Sequence, residues 1–291
     1  MPRAGRVNVG GVSSPLLEAG PEGASEAVVF VHGNPGSSSD WTELLDATGE
    51  FARAVAIDMP GFGKSETPAD FDFEVPAYGE FLQGALAELG IERVHLVLHD
   101  FGGPFGLWWG FEHPEAWASV VLINVGILPG YSWHTMAKRW RTPVIGELVQ
   151  AWIPRAAWRR AMQKANPKGL PPAFVDKMYD DYDRGTRRAV LKLYRATPDP
   201  ASTSLELGPR AAELHRPALV VWGAKDPYLP VEYAERQREF FDVRDVAILP
   251  DSGHWPFQDD PEGVARAALP FLRERLTAAS AVTEHPRSGV R

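Results

Sequence analysis

Cysteine is absent from all 291 residues, which excludes disulfides, thiolate nucleophiles and thiolate metal sites together. No apolar run reaches the roughly 18 residues that a membrane-spanning helix needs. The first twenty residues, MPRAGRVNVGGVSSPLLEAG, lack the apolar centre of a secretion signal, and a cytoplasmic location is the expectation. No long basic run occurs and the net charge is −8, a balance that argues against nucleic acid or an anionic membrane as the main partner. No internal repeat is seen. What remains has the composition of a globular enzyme or binding protein, 44% hydrophobic and 23% charged. Ten Trp and fourteen Phe supply a core and leave enough aromatic surface to line a cavity for a small apolar substrate.

Short β-branched runs alternate with longer helical stretches, which predicts a mostly parallel sheet flanked by helices. The expected buried strands are 27–32, 53–58, 93–99, 120–124, 218–223 and 245–249, each nearly all apolar, as strands covered on both faces are. Polar residues and glycines collect after their C-terminal ends, the edge where open α/β sheets bind ligands. Between about Leu128 and Ser204 the strand pattern stops, and Trp, Arg and Tyr recur at helical spacing broken by Pro143, Pro154 and Pro171-Pro172. The chain thus divides into a core of 1–127 and 205–291, and a helical cap of 128–204. The tail beyond about Ala278 is small and polar and is expected to fray.

The strongest chemical signal is Val94-His95-Leu96-Val97-Leu98-His99-Asp100-Phe101-Gly102-Gly103. A buried strand runs into an acid, with glycines opening a helix, which is the layout of a Gly-x-Ser-x-Gly nucleophile elbow with Asp in place of Ser. The position two residues after the turn, Gly102, is small as an elbow demands, whereas Leu98 on the other side is not. Two further strand ends carry Gly223-Ala224-Lys225-Asp226 and Asp251-Ser252-Gly253-His254. Nucleophile, acid and histidine follow in that chain order, so Asp100, Asp226 and His254 can converge on one sheet edge. His32-Gly33-Asn34-Pro35 reaches the same edge, and its Asn34–Pro35 bond is a candidate for the cis form. Asp58-Met59-Pro60-Gly61-Phe62-Gly63-Lys64 lacks phosphate-loop spacing and reads as a structural turn. His95 and His99 have no ligand partners at metal spacing, and His113, His134, His215 and His285 stand in no motif. Neither metal nor cofactor is expected.

These motifs, spread over nearly the whole chain, resemble the epoxide hydrolase and haloalkane dehalogenase branch of the α/β-hydrolase family. The resemblance implies an α/β-hydrolase fold with a helical cap inserted after the sixth strand. It makes Asp100 the nucleophile, Asp226 the orienting acid and His254 the base, with backbone N–H groups of Phe101 and Asn34 as the oxyanion hole. A carboxylate, already ionised at neutral pH, suits attack on a saturated carbon. An ester would form on Asp100 and be hydrolysed by water that His254 activates. Epoxide opening needs an acid for the departing alkoxide; Leu193-Tyr194-Arg195 resembles the cap segment carrying such a tyrosine, with Tyr182, Tyr179 or Tyr131 as its second. Halide release needs N–H donors instead, and Asn34 and Leu98 favour it. The Trp that usually follows the nucleophile in dehalogenases is here Phe101, which has no ring N–H, and this tips the expectation to an epoxide hydrolase. Haloalkane dehalogenation is the alternative; an ester-cleaving or non-catalytic relative is the third reading. Oligomeric state is left open.

Overall fold

The protein is described from a computed structural model covering residues 1–67 and 70–283, with side chains to residue 277. Eight strands form one sheet: β1 (Arg3–Val9), β2 (Val12–Ala19), β3 (Glu26–Val31), β4 (Arg53–Ile57), β5 (Arg93–His99), β6 (Trp117–Ile123), β7 (Pro217–Gly223) and β8 (Asp242–Leu249). Their order across the sheet is β1-β2-β4-β3-β5-β6-β7-β8. β3 to β8 are mutually parallel, whereas β1 and β2 add an antiparallel edge. The six expected strands are all present, but the last, β8, lies at the sheet edge with only Leu249 buried and is not covered on both faces as expected. The hairpin β1–β2 was not foreseen, because its apolar residues alternate with polar ones instead of forming a run. Its burial accordingly alternates along β2, as in a strand with one wet face.

Twelve α-helices accompany the sheet. In the core these are α1 (Thr42–Gly49), α2 (Val75–Glu88), α3 (Gly102–Glu112), α10 (Glu232–Arg236), α11 (Pro256–Asp259) and α12 (Pro261–Thr283). Between β6 and β7 lie α4 (Thr135–Arg141), α5 (Ile145–Ala151), α6 (Arg155–Ala165), α7 (Pro172–Asp181), α8 (Arg184–Ala196) and α9 (Pro200–Leu214). No strand interrupts this insertion, and α9 runs on past residue 204 to deliver the chain to β7. α12 is helical to Thr283, beyond the expected start of the frayed tail; the remaining residues of that tail lie outside the described ones. Among the described residues no helix is long and apolar enough to cross a membrane.

The central strands are buried almost completely: every residue of β4 and β6 is covered, and all but the first of β5. A parallel sheet sandwiched between helices requires this. The bulky Leu98 at the elbow is accommodated from the helix side. Gly106, one turn into α3, faces it so closely that a Cβ there would lie 2.3 Å from Leu98 Cδ2. The space that the turn lacks before Asp100 is therefore recovered within the helix that follows it.

Candidate active site

Asp100 occupies the tight turn between β5 and α3 with φ at +49°, a left-handed conformation that an L-residue adopts only when its surroundings enforce it. The turn lifts its carboxylate off the sheet edge and into the floor of a cavity of about 510 Å³ beneath the α4–α9 segment. Its Oδ1 accepts the Asn34 backbone N–H at 2.7 Å, and its Oδ2 lies 3.5 Å from His254 Nε2. Gly33 permits this approach: a Cβ on it would fall 2.4 Å from the Asp100 carboxylate. The preceding histidine fixes the loop. His32 accepts the Met59 N–H on Nε2 at 2.9 Å, so its Nδ1 carries the proton given to the Gly33 carbonyl at 2.9 Å. The Asn34–Pro35 bond is cis.

His254 Nδ1 donates to Asp226 Oδ2 at 2.7 Å. Asp226 is otherwise saturated: Oδ1 accepts the N–H groups of Tyr228 (2.7 Å) and Leu229 (3.0 Å), and Oδ2 also accepts Asn124 Nδ2 at 2.6 Å. Asn124 holds both loops of the acid–base pair, since its Oδ1 takes the Gly223 N–H and its Nδ2 also reaches the Gly253 carbonyl. The histidine loop is fixed from two further sides. His99 donates from Nε2 to the His254 carbonyl at 2.7 Å. From the end of α6, the Ala165 carbonyl accepts the His254 N–H at 3.2 Å, and Asn166 Oδ1 accepts the Trp255 N–H at 2.9 Å.

Electrostatics follow from this packing. Burial alone would strip the proton from His254, but the carboxylates of Asp226 and Asp100 outweigh it and raise its pKa to about 10. Burial likewise opposes charge on Asp100, yet the His254 hydrogen bond and charge, with the Asn34 N–H, bring it down to about 2. Asp226 is lowered for the same reason, against its own burial. The resting site is an imidazolium held between two carboxylates. His99, buried beside that positive charge, is pushed down to about 3 and stays neutral.

The structure thus brings Asp100, Asp226, His254 and Asn34 together, with Phe101 at the first turn of α3. The Phe101 ring packs edge-on against Tyr194, centroids 4.9 Å apart, and nearly parallel to Trp133 at 6.2 Å. Tyr194 lines the cavity, its hydroxyl pKa driven well above the usual phenol range by burial and the Asp100 charge. Tyr182 is placed elsewhere. Its hydroxyl accepts from Gln150 Nε2 at 2.8 Å, and it lines a separate small pocket with Asp40 and Lys177. Tyr179 donates to the Ile153 carbonyl within the α5–α7 region. Tyr131 takes the position facing Tyr194's cavity, and burial and the Asp100 charge raise its pKa too.

Three contributors escaped the sequence reading. Asn124 carried no motif, and only its place directly after β6 marks it. His134 caps α4 by accepting the Ala137 N–H on Nδ1 at 3.2 Å, which leaves its proton on Nε2 as a neutral donor at the cavity wall; burial lowers its pKa to about 4. Tyr228 packs edge-on against His254 at 4.9 Å.

Comparison with known proteins agrees with this architecture. The family described as alpha/beta hydrolase fold matches residues 26–261. A cis-3-alkyl-4-alkyloxetan-2-one decarboxylase of Xanthomonas campestris is 26% identical, over 90% of this chain and 93% of its own. The Cif epoxide hydrolase of Acinetobacter nosocomialis superposes with a TM-score of 0.79 at 20% identity, covering 93% of this chain and 89% of its own. A 2-hydroxy-6-oxo-6-phenylhexa-2,4-dienoate hydrolase of Rhodococcus also reaches 0.79, at 21% identity over 94% and 99%. At these identities the structural likeness speaks for the fold.

The trapped proton has a measurable consequence. Folded His254 keeps its proton up to about pH 10, whereas an unfolded histidine releases it near 6.5. Its stabilisation is therefore complete below pH 6.5 and lost as pH rises through about 10. Asp100→Asn removes one of the two charges that hold the proton. Its stability should decline less steeply across that window, as read from urea midpoints; parallel slopes for both proteins would contradict the assignment. Gly33→Ala should cost about 100-fold in turnover, because the added methyl must displace the Asp100 carboxylate.

Proposed function

The chain belongs to the α/β-hydrolase family, and on that ground we propose that it hydrolyses epoxides to vicinal diols through an alkyl ester on Asp100. The observation that carries the reading is the pair of cavity tyrosines, Tyr194 and Tyr131, both kept protonated and both within the field of the Asp100 carboxylate. A neutral phenol is the donor that a departing alkoxide requires.

In this mechanism Asp100 attacks one epoxide carbon along the line of the C–O bond. The bond's electron pair goes to oxygen, which takes a proton from Tyr194 or Tyr131. Alkylation removes the Asp100 charge, so His254 loses one of the two carboxylates that held its proton. It can then pass that proton to the tyrosinate left by ring opening and accept one from water, with Asp226 supporting the new imidazolium. Attack on the ester carbonyl places negative charge on the Asp100 oxygen facing the Asn34 N–H, with the Phe101 N–H as second donor. Each such donor contributes typically ~3 kcal/mol to the transition state. Collapse expels the alkoxide, which takes the acid proton of Asp100 and leaves as diol, restoring the carboxylate beside the imidazolium.

Haloalkane dehalogenation is the second reading, and it has its own support. The Trp133 indole N–H is buried without a hydrogen-bond partner beside Phe101 and Tyr194, and the buried Asn34 side-chain amide faces the Tyr194 hydroxyl. Trp133 thereby offers from the cap the N–H that Phe101 lacks. An oxetanone, the substrate class in the name of the Xanthomonas relative, is also a strained oxygen ring and belongs in the same assay.

Turnover of styrene oxide, 1-bromobutane and a cis-β-lactone separates the readings; halide release much faster than diol formation would reverse their order. Tyr194→Phe should slow epoxide opening about 100-fold and leave dehalogenation nearly unchanged. In His254→Gln the ester should persist, adding the substrate's mass to the peptide that contains Asp100. Unmodified peptide after full substrate exposure would remove Asp100 as the nucleophile.

A further inference from the structure

Helix α5 is built inside out. Its buried positions are Gly146 and Gln150, one turn apart and hence on one face. Gly146 fits so tightly that a Cβ would meet the Trp140 carbonyl oxygen at 2.7 Å, and Gln150 is engaged with Tyr182. The apolar side chains face outward instead. Val144 is 68% exposed, Ile145 47%, Leu148 70% and Trp152 79%. Only three other large hydrophobics are exposed among the described residues, Met1, Leu205 and Ile248, so the apolar exposure is concentrated in nine consecutive positions. Scattered surface hydrophobics need no explanation, but a cluster does.

This orientation is fixed. Both guanidinium nitrogens of Arg195 bond the Glu147 carboxylate at 2.7 and 2.8 Å, and Arg187 donates to the Gln150 carbonyl at 3.0 Å. Val144 holds a φ of +69°, costly for a β-branched residue, while its side chain stays in solvent.

The charge around the patch says what covers it. From Thr135 to Ala165 the chain carries seven basic residues and one acid, Glu147, against a net charge of −8 for the whole protein. Arg155 and Arg159 are paired with Asp176 and Asp180. Lys138 and Arg139 on α4, and Arg160 and Lys164 on α6, are exposed and have no acid partner among the described residues. Protruding Trp, Leu, Ile and Val, flanked along the chain on both sides by exposed cations without acid partners, match the headgroup boundary of an anionic bilayer. A twofold contact with a second copy would instead set two basic rims against each other.

We propose that the α4–α6 face docks on anionic lipid surfaces, with Val144, Ile145, Leu148 and Trp152 entering the interface and Lys138, Arg139, Arg160 and Lys164 contacting the headgroups. The acidic total charge, which taken as a sum disfavours such a partner, conceals a strongly polarised distribution. The inference is independent of which bond the active site breaks.

Co-sedimentation of the full chain with vesicles of phosphatidylglycerol and phosphatidylcholine, against phosphatidylcholine alone, tests it. Wild type should partition at least about tenfold more strongly onto the anionic vesicles, and raised salt should weaken the binding. Leu148→Ser/Trp152→Ser and Lys138→Glu/Arg139→Glu should each lose about tenfold or more while keeping the wild-type circular dichroism and melting midpoint. Failure of the wild type to bind, or full binding by both variants, overturns the proposal. So does a concentration-dependent dimer that Leu148→Ser/Trp152→Ser abolishes without any vesicle binding, which would assign the patch to a second copy.

Discussion

One positive charge, on His254, is held between two carboxylates in the interior, and much of the site exists to make that tolerable. A buried ion pair stabilises only if its remaining hydrogen-bonding capacity is met. Asp226 meets this through two backbone N–H groups and the Asn124 amide. Asp100 meets it through the Asn34 N–H and by facing the cavity. The loops after β3, β5, β6, β7 and β8 each contribute to this arrangement, so it is also what ties the C-terminal ends of five strands into one surface.

The core was legible in the sequence because a strand buried on both faces leaves a continuous apolar run, and β3 to β7 each leave one; β8, at the sheet edge with only Leu249 buried, leaves just a short run at its end. β1 and β2 leave none, for an edge hairpin with a wet face alternates. The triad was legible because each member ends such a run, and the order of Asp100, Asp226 and His254 is itself informative. Asn124 sits at an equivalent position after β6, but a lone Asn in a turn is ordinary, and its two-loop clamp exists only once the sheet is assembled. The cap tyrosines show the opposite limit. Tyr194 and Tyr182 lie in helical sequence of similar character, and only tertiary packing turns one to the cavity and the other to Gln150.

Core and cap therefore divide the work unequally. The strand ends carry Asp100, Asp226, His254 and Asn34, the nucleophile, acid, base and oxyanion donor of the proposed reaction. The cap residues Tyr131, Trp133, His134 and Tyr194 line the cavity with the donors that, in the proposed reaction, would distinguish an alkoxide from a halide as leaving group. Because α4–α9 form a single insertion between β6 and β7, their lining can change without disturbing the register of the sheet.

That independence has a boundary at the end of α6. Ala165 and Asn166 bond the backbone on either side of the His254 Cα, so the cap is riveted to the core at the one residue whose tilt matters most. On the proposed reading that contact makes His254 sensitive to the roof above it: a guest too large for the cavity would lever the imidazole away from the ester it would help to hydrolyse. Bulk at the far end of the cavity would then be paid for in turnover at the near end, a size limit enforced by leverage and not by collision.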